Sequence, residues 1–454
     1  MTDDTVTVET GTGLRDVTRK SFLAKAGAVA AGTAGLAALG TRPAVAAPAV
    51  LHQRKITLQY WRLGADTPAQ MKYWQTLAAQ YSTVNPDVTV KVVFVPNYQG
   101  SNTLTAAFAG GTGPDVFISS PGDLLRYLNL GLAQPLNKYL SSAYIKDFTP
   151  SALQAMTVGG KIYYLRYEME PVALFYDKKL FAEKGLHPPK TWAEMIDTAL
   201  KLKTPRRAGI VMETTPDAFQ NFVFYPYLWQ GGGNVIDDAW THAEINSPAG
   251  VAALQLWGDL INKYKVAPTK TITRTSDILL LAKGFTAMQE IGSWSVAEAR
   301  QLYPTFEYGV VPLPHPAHGR TQSIYGGWGF MASAHSKYPA DAAHLAVWLS
   351  GGVEKAAAMR GAEWVSGVKT DLSPRISVTK QLQSEGFFKK YPLNLFQEEV
   401  YPTARAEPRY TPEIVTAVSK AIQAVQFGGV SGASAAATAA REINAFLKTY
   451  KGVR

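Results

Sequence analysis

Glu168 and Glu170 stand two apart in the chain, and Glu398 and Glu399 are adjacent. On extended backbone, residues i and i+2 share a face, so Glu168 and Glu170 could both point into one cleft. Such a pair can cleave a glycosidic bond, one carboxyl as acid and the other as nucleophile. That chemistry needs a carboxyl poised near neutral pH, and nothing in the flanking sequence argues for one, so a hydrogen-bonding or hinge role is favoured. His315 and His318 lie in a Pro/Gly loop. Two imidazoles there could touch a metal, but no third ligand is evident and no metal site is expected. Neither G-x-S-x-G nor H-E-x-x-H is present, so the hydrolase and metalloprotease signatures are missing. Gly110-Gly111-Thr112-Gly113 lacks the Lys-Ser/Thr ending of a phosphate loop and precedes a strand. It reads as a turn, and no cofactor is expected.

The elements that must position these groups follow from periodicity. Ile56 to Trp61 alternates and is β-branched or aromatic, which predicts a first strand. A helix through Met71 to Tyr81 follows, Asn85-Pro86-Asp87 breaks it, and Val88 to Val95 reads as the second strand. A helix from Leu104 to Phe108 ends at the glycine turn, and a third strand starts at Pro114, with Asp115 organising the turn. This rhythm predicts an α/β fold with a mostly parallel sheet between helices. Thr191 and Glu194 form a capping box that launches a helix from Trp192 to Leu202. Ser247-Pro248 opens another, with Val251, Leu254, Trp257 and Ile261 on its apolar stripe. Ala342 to Leu349, Pro412 to Gln426 and Ala435 to Tyr450 are helical by period. Trp74, Trp192, Trp257 and Trp348 lie on helical stripes and are assigned to core, whereas Trp240, after Asp237-Asp238, is assigned to the surface.

The N-terminus carries a different signal. Thr18 to Lys25 is a positive cluster, an Ala/Gly-rich apolar run to Leu39 follows, and Ala44-Val45-Ala46 offers a small-residue exit. Residues 1–46 therefore read as a cleavable export signal peptide and 47–54 as a linker. Its context is twin-arginine-like, although Arg19-Lys20 replaces the Arg-Arg pair. The run is too short and too poor in Leu, Ile and Phe to span ~30 Å of hydrocarbon well. The body is thus expected outside the cytoplasm, in a periplasm or at the cell surface. The chain has no cysteine, which excludes disulfides, thiolate metal sites, a cysteine nucleophile and a lipid-bearing N-terminal cysteine. With 46% hydrophobic and 18% charged residues it is globular. The net charge is +10 and the Lys and Arg residues are dispersed, so no nucleic-acid partner is expected.

Five stretches in order carry a family resemblance: AAFAGGTGPDVF from Ala106, GKIYYLRYEMEPVALFYDKKL from Gly160, Gln230-Gly231-Gly232 leading to Ile245-Asn246-Ser247-Pro248, Gly284 to Met288 through Gly292-Ser293-Trp294 and on to Pro314, and Tyr325-Gly326-Gly327-Trp328-Gly329-Phe330. Together they resemble the extracellular solute-binding proteins of ABC importers, in the sugar-binding branch that is maltose-binding-protein-like. The resemblance implies a two-lobed, periplasmic-binding-protein-like (type II) fold with a hinge crossed three times. The crossings are expected near Glu168 to Pro171, near Pro314 to Ser323, and beyond Trp364 at about 364–372. Residues 55–169 and 288–318 would form one lobe, and 170–287 and 324–454 the other. At Glu363 to Gly367 the chain departs from the Pro-Ser or Pro-Ala-Arg element common in the family.

The function so implied is capture of a mono- or oligosaccharide between the lobes by a non-catalytic monomer, and its delivery to ABC transporter membrane permease subunits. A binding protein for a phosphorylated or acidic solute, with Arg166, Arg405 or Arg409 near the cleft, is one alternative; a secreted glycoside hydrolase is another. Sugars need flat apolar platforms and a few planar polar groups. Trp61, at the end of the first strand, sits where open α/β sheets bind ligands. Trp294 and Trp328 are platforms by the resemblance, which also places the Glu170 carboxylate at the hinge. Ser119 and Asp123 follow the third strand, Phe219 and Asn221 face the cleft from the second lobe, and Trp364 completes the candidate set.

Overall fold

The computed structural model describes residues 55–64, 66–96, 102–352 and 355–454; the signal peptide and the linker read over 1–54 lie outside the described residues. β1 (Ile56–Leu63) alternates buried with more exposed side chains, as a strand with one face on a core must. It leads to α1 (Pro68–Val84), opened by a Thr67–Gln70 capping box, then β2 (Val88–Val95), α2 (Thr103–Ala109), β3 (Val116–Ser119) and α3 (Leu124–Asn129). After a hairpin come β4 (Leu165–Arg166) and β5 (Glu170–Asp177). The helices α4 (Trp192–Leu202), α5 (Ala218–Gln230) and α6 (Pro248–Asn262) follow. Next are β6 (Met288–Gly292), α7 (Ser295–Leu302), β7 (Tyr308–Val311), β8 (Ser323–Gly326), β9 (Gly329–Ala332) and α8 (Pro339–Leu349). β10 (Ala404–Ala406), α9 (Pro412–Gln426) and α10 (Gly432–Leu447) close the sequence of elements.

Two larger sheets result, β2-β1-β3-β9-β4 and β10-β8-β5-β6, with β7 also paired to β5, beside the two-stranded hairpin at 157–162. β1 runs parallel to β2 and β3. β9 is antiparallel to both β3 and β4, and β5 is antiparallel to β6, β7 and β8. The expectation of a mostly parallel sheet is corrected here, because only the β1–β3 unit and the β8–β10 pair are parallel. The strands that re-enter a sheet from the other one arrive in the opposite sense.

Each sheet carries its own core. Trp74, Phe117, Phe330 and Trp364 belong to the first, and Trp229, Leu254, Trp257 and Ile422 to the second. β5 is buried on both faces: Val172 and Leu174 join the second core, while Ala173 and Phe175 join a smaller cluster with Ile291 and Phe396. Its unbroken apolar run follows from that double burial.

The chain changes sheets at Tyr167–Met169, between β4 and β5, and again at Gly327–Trp328, between β8 and β9. A third strand of backbone lies alongside, where Met169 and Leu372 exchange hydrogen bonds of 2.9 and 3.3 Å. Gly327 adopts φ +115, and a side chain there would run into the Glu168 carbonyl. The grouping of 288–318 with the first lobe differs from this pairing, since β6 and β7 join β5 in the second sheet while β9 joins the first. β6 and β9 are buried at every position, so they carry no alternation that would assign them to a sheet. Among the described residues no helix is long and apolar enough to cross a membrane.

Candidate functional site

The second lobe brings three aromatic rings together at the start of α5. α5 starts at Asp217, whose carboxylate accepts the Gln220 N–H at 3.0 Å. Phe219 and Phe222, one turn apart, stack with centroids 6.1 Å apart and 24° between planes. Trp294 meets Phe219 edge-on at 6.2 Å. Its indole folds back over Gly292, where any side chain would collide with the ring, and its Nε1 donates to the Ser276 carbonyl at 2.6 Å. Phe219 and Trp294 are half-buried on the margin of the second core. Trp61 and Trp328 are likewise half-buried, but against the first core.

Opposite the start of α5 stands the turn Pro121–Asp123, which leads from β3 into α3. Between the two lies a cavity of about 640 Å³, with Gly122, Asp123 and Arg126 on one side and Asp217, Tyr410 and Lys420 on the other. Glu407, just after β10, reaches this turn and hydrogen-bonds the Gly122 backbone. A side chain at Gly122 would overlap Glu407 Oε1, and one at Gly326 would touch the Phe222 ring. Glu407 is half-buried, and desolvation pushes its carboxyl up to about 8 against the opposing pull of Arg166. Arg166 is fully buried, donates Nη2 to the Gly326 carbonyl at 2.7 Å and lies 5.0 Å over the Tyr325 ring.

Behind the cleft, where the crossings meet, carboxylate oxygens of Glu168, Glu170 and Asp371 lie within 4.8 Å of one another. Lys369 supplies the counter-charge, its Nζ 3.1 Å from Glu170. Trp364 Nε1 donates to Glu168 Oε2 at 2.6 Å, and the Ser293 hydroxyl donates to Asp371. Burial first, and then the charge of Glu170, push Glu168 up to about 8 and raise Asp371 as well. Burial opposes a charged Lys369, but Glu170 and Glu168 outweigh it and hold the ammonium above its ordinary range. One ammonium cannot balance three ionised acids in so dry a place, so protons are retained among them.

This geometry revises part of the candidate set. Trp364 is 2% exposed and packed on Trp74 at 4.6 Å, so it is core and no platform. Asn221 spends its amide within the second lobe, donating to Ser419 Oγ at 2.5 Å and accepting from the Tyr225 hydroxyl at 3.2 Å. Glu170 is held by Lys369 and faces Gly326 across the β5–β8 pair. Ser119 donates to the Ser120 carbonyl at 2.9 Å, while Asp123 lines the cavity. Phe219 and Trp294 are brought together. Trp240, assigned to the surface, is half-buried against both cores at φ +59 and stacks on Tyr450 at 5.6 Å. His315 braces the start of α4 through its carbonyl, which accepts the Trp192 N–H at 3.0 Å. Sequence reasoning missed Phe222, Tyr410 and Glu407. Phe222 was legible as the next turn of the Phe219 face; Glu407 lies in an irregular segment with no period to point to it.

Comparison with known proteins agrees with this architecture. A family model described as bacterial extracellular solute-binding protein matches residues 64–351. A maltotriose-binding protein of Pyrococcus abyssi is 27% identical over 54% of this chain and 51% of its own length. The chain thus spans about half the length of that relative. A Thermotoga lettingae ABC transporter solute-binding protein, solved with α-D-tagatose, superposes with a TM-score of 0.75 at 23% identity, over 86% of this chain and 99% of that one. The cyclic α-maltosyl-1,6-maltose-binding protein of Arthrobacter globiformis gives 0.71 at 25% identity, over 87% and 100%. The α/β fold is therefore the two-lobed type II binding-protein fold, and the chain belongs to the family of bacterial extracellular solute-binding proteins.

Proposed function

We propose that this protein captures a mono- or oligosaccharide between its lobes outside the cytoplasm and delivers it to the membrane permease of an ABC importer. The observation that carries the reading is the pair of half-buried rings Trp294 and Phe219, backed by the buried Phe222 on one lobe, beside a cavity between the start of α5 and the Gly122–Asp123 turn of the other lobe. Flat rings suit the C–H faces of a pyranose, and the polar turn suits its hydroxyl edge. A ligand bridging both lobes stabilises the shut conformer by its differential affinity for it. Binding without catalysis is favoured because Glu168 is 0% exposed beneath Trp364 and Glu170 is paired, so neither is placed to protonate or attack a substrate. Export by a cleavable signal over residues 1–46 completes the proposal, as does action as a monomer.

The test is a thermal-shift screen of malto-, manno- and galacto-oligosaccharides together with acidic sugars and glycerol phosphate. A ligand at 100 times its dissociation constant adds about 2.7 kcal/mol of stability. A shift confined to carbohydrates supports the reading. No shift with any carbohydrate, or release of hydrolysis products from one, overturns it.

A further inference from the structure

Glu407 sits where the two lobes meet. It belongs to the second lobe by its place beside β10, yet its carboxyl is bonded to the backbone of Gly122 on the first lobe, at the edge of the cavity. Room for it is built in, because both Gly122 and Gly326 lack the side chains that would crowd it or its neighbour Phe222. Glu170, the carboxyl expected to serve the ligand, is engaged by Lys369. We infer that Glu407 is the specificity-determining carboxyl of the cleft, exchanging its bond to Gly122 for a bond to a ligand hydroxyl when a carbohydrate enters; this rests on the sugar-binding reading.

The groups facing it are Arg166 from β4, Asp123 from the turn before α3, Glu170 from β5, and the phenols of Tyr164 and Tyr225. Desolvation raises the carboxyl to about 8 against the opposing pull of Arg166, which favours the protonated form at neutral pH. As a neutral acid it both donates to and accepts from a hydroxyl. Once ionised it is drawn to Arg166 and can only accept, so it loses the bond it donates to a ligand hydroxyl oxygen and the exchange gains less. Ligand affinity therefore falls as pH rises through about 8.

Calorimetric titration with the best carbohydrate of the panel tests this at pH 6 and pH 9.5, on the parent, Glu407→Gln and Glu407→Ala, each checked for a parent-like melting temperature. The parent should lose at least tenfold in affinity between the two pH values. Glu407→Gln should bind a few-fold more weakly at pH 6 with no further loss at pH 9.5, and Glu407→Ala should lose more than tenfold at both. An unchanged affinity in Glu407→Ala, or the parental pH drop in Glu407→Gln, overturns the assignment. If the parent binds no carbohydrate at all, the sugar-binding reading fails instead. The Gly122 amide resonance then decides on Glu407 without ligand: it must titrate near pH 8 in the parent and not in Glu407→Gln, and a flat profile in the parent refutes the contact.

Discussion

Replacing Trp364 by phenylalanine separates a core role from a ligand platform. The indole is 2% exposed, packs 4.6 Å from Trp74 and 5.2 Å from Tyr73, and gives its one N–H to Glu168. Phenylalanine keeps an aromatic ring but removes that donor, leaving a buried carboxyl oxygen without it, at about 1–3 kcal/mol. The smaller ring adds roughly 1 kcal/mol for the cavity left behind, so the total is about 2–4 kcal/mol. With an unfolding entropy of about 2.1 cal/mol/K per residue over roughly 400 residues, the melting temperature should fall by about 2–5 °C. The loss should grow with pH. At pH 6 Glu168 carries its proton and the broken bond is between neutral groups; above about 8 the parent bond becomes charge-assisted and its removal costs more. Denaturant titrations at pH 6 and 9 measure this, alongside carbohydrate affinity at pH 6. Unchanged stability with lost affinity would refute the core assignment and return Trp364 to the cleft.

Other consequences are equally open to measurement. Glu168, Glu290 and Glu407 are each raised from 4.5 to about 8, chiefly by burial. The native state therefore binds more protons than the unfolded chain, and stability should decline as pH rises from about 5 through 8. Glu290→Gln should flatten part of that decline in a pH series of urea melts, and a stability that climbs over this range would contradict the burial of these acids. Thr191→Ala removes the oxygen that accepts the Glu194 N–H at 3.2 Å and should cost about 1 kcal/mol, seen as a lower denaturation midpoint with an unchanged m-value. Asn129 on α3 bonds the Tyr450 hydroxyl and the Val453 N–H, both at 2.9 Å, and so ties the first lobe to the C-terminal segment beyond α10. Asn129→Ala should loosen that tie and increase the radius of gyration in small-angle scattering, and an unchanged scattering curve would show the contact to be without consequence.

Much of the fold was legible because local residue patterns mark where its elements start and stop. The buried and exposed positions of β1, the break at Asn85-Pro86-Asp87 and the Thr191 and Ser247 caps all mark real boundaries. The allocation of strands to sheets was not legible, because β6, β8 and β9 are short and buried at every position. Such strands follow the cores they enter, which is a tertiary fact. Trp294 could be picked out by its Gly292-Ser293 context, since the glycine lets the indole fold back on its strand. Nothing local marks Trp364 as core rather than platform; its N–H donation to Glu168 and its packing on Trp74 are tertiary facts. Glu407 left no local signal at all, because what singles it out is the pair of glycines 285 and 81 positions away that make space for it and for Phe222.

The most direct test of the central claim is a crystal structure with the tightest-binding oligosaccharide of the panel. Pyranose rings are expected against Trp294 and Phe219, with their hydroxyl edge at Gly122, Asp123 and Glu407 of the same cleft. A sugar bound to one lobe alone, with those two rings untouched, would contradict the claim.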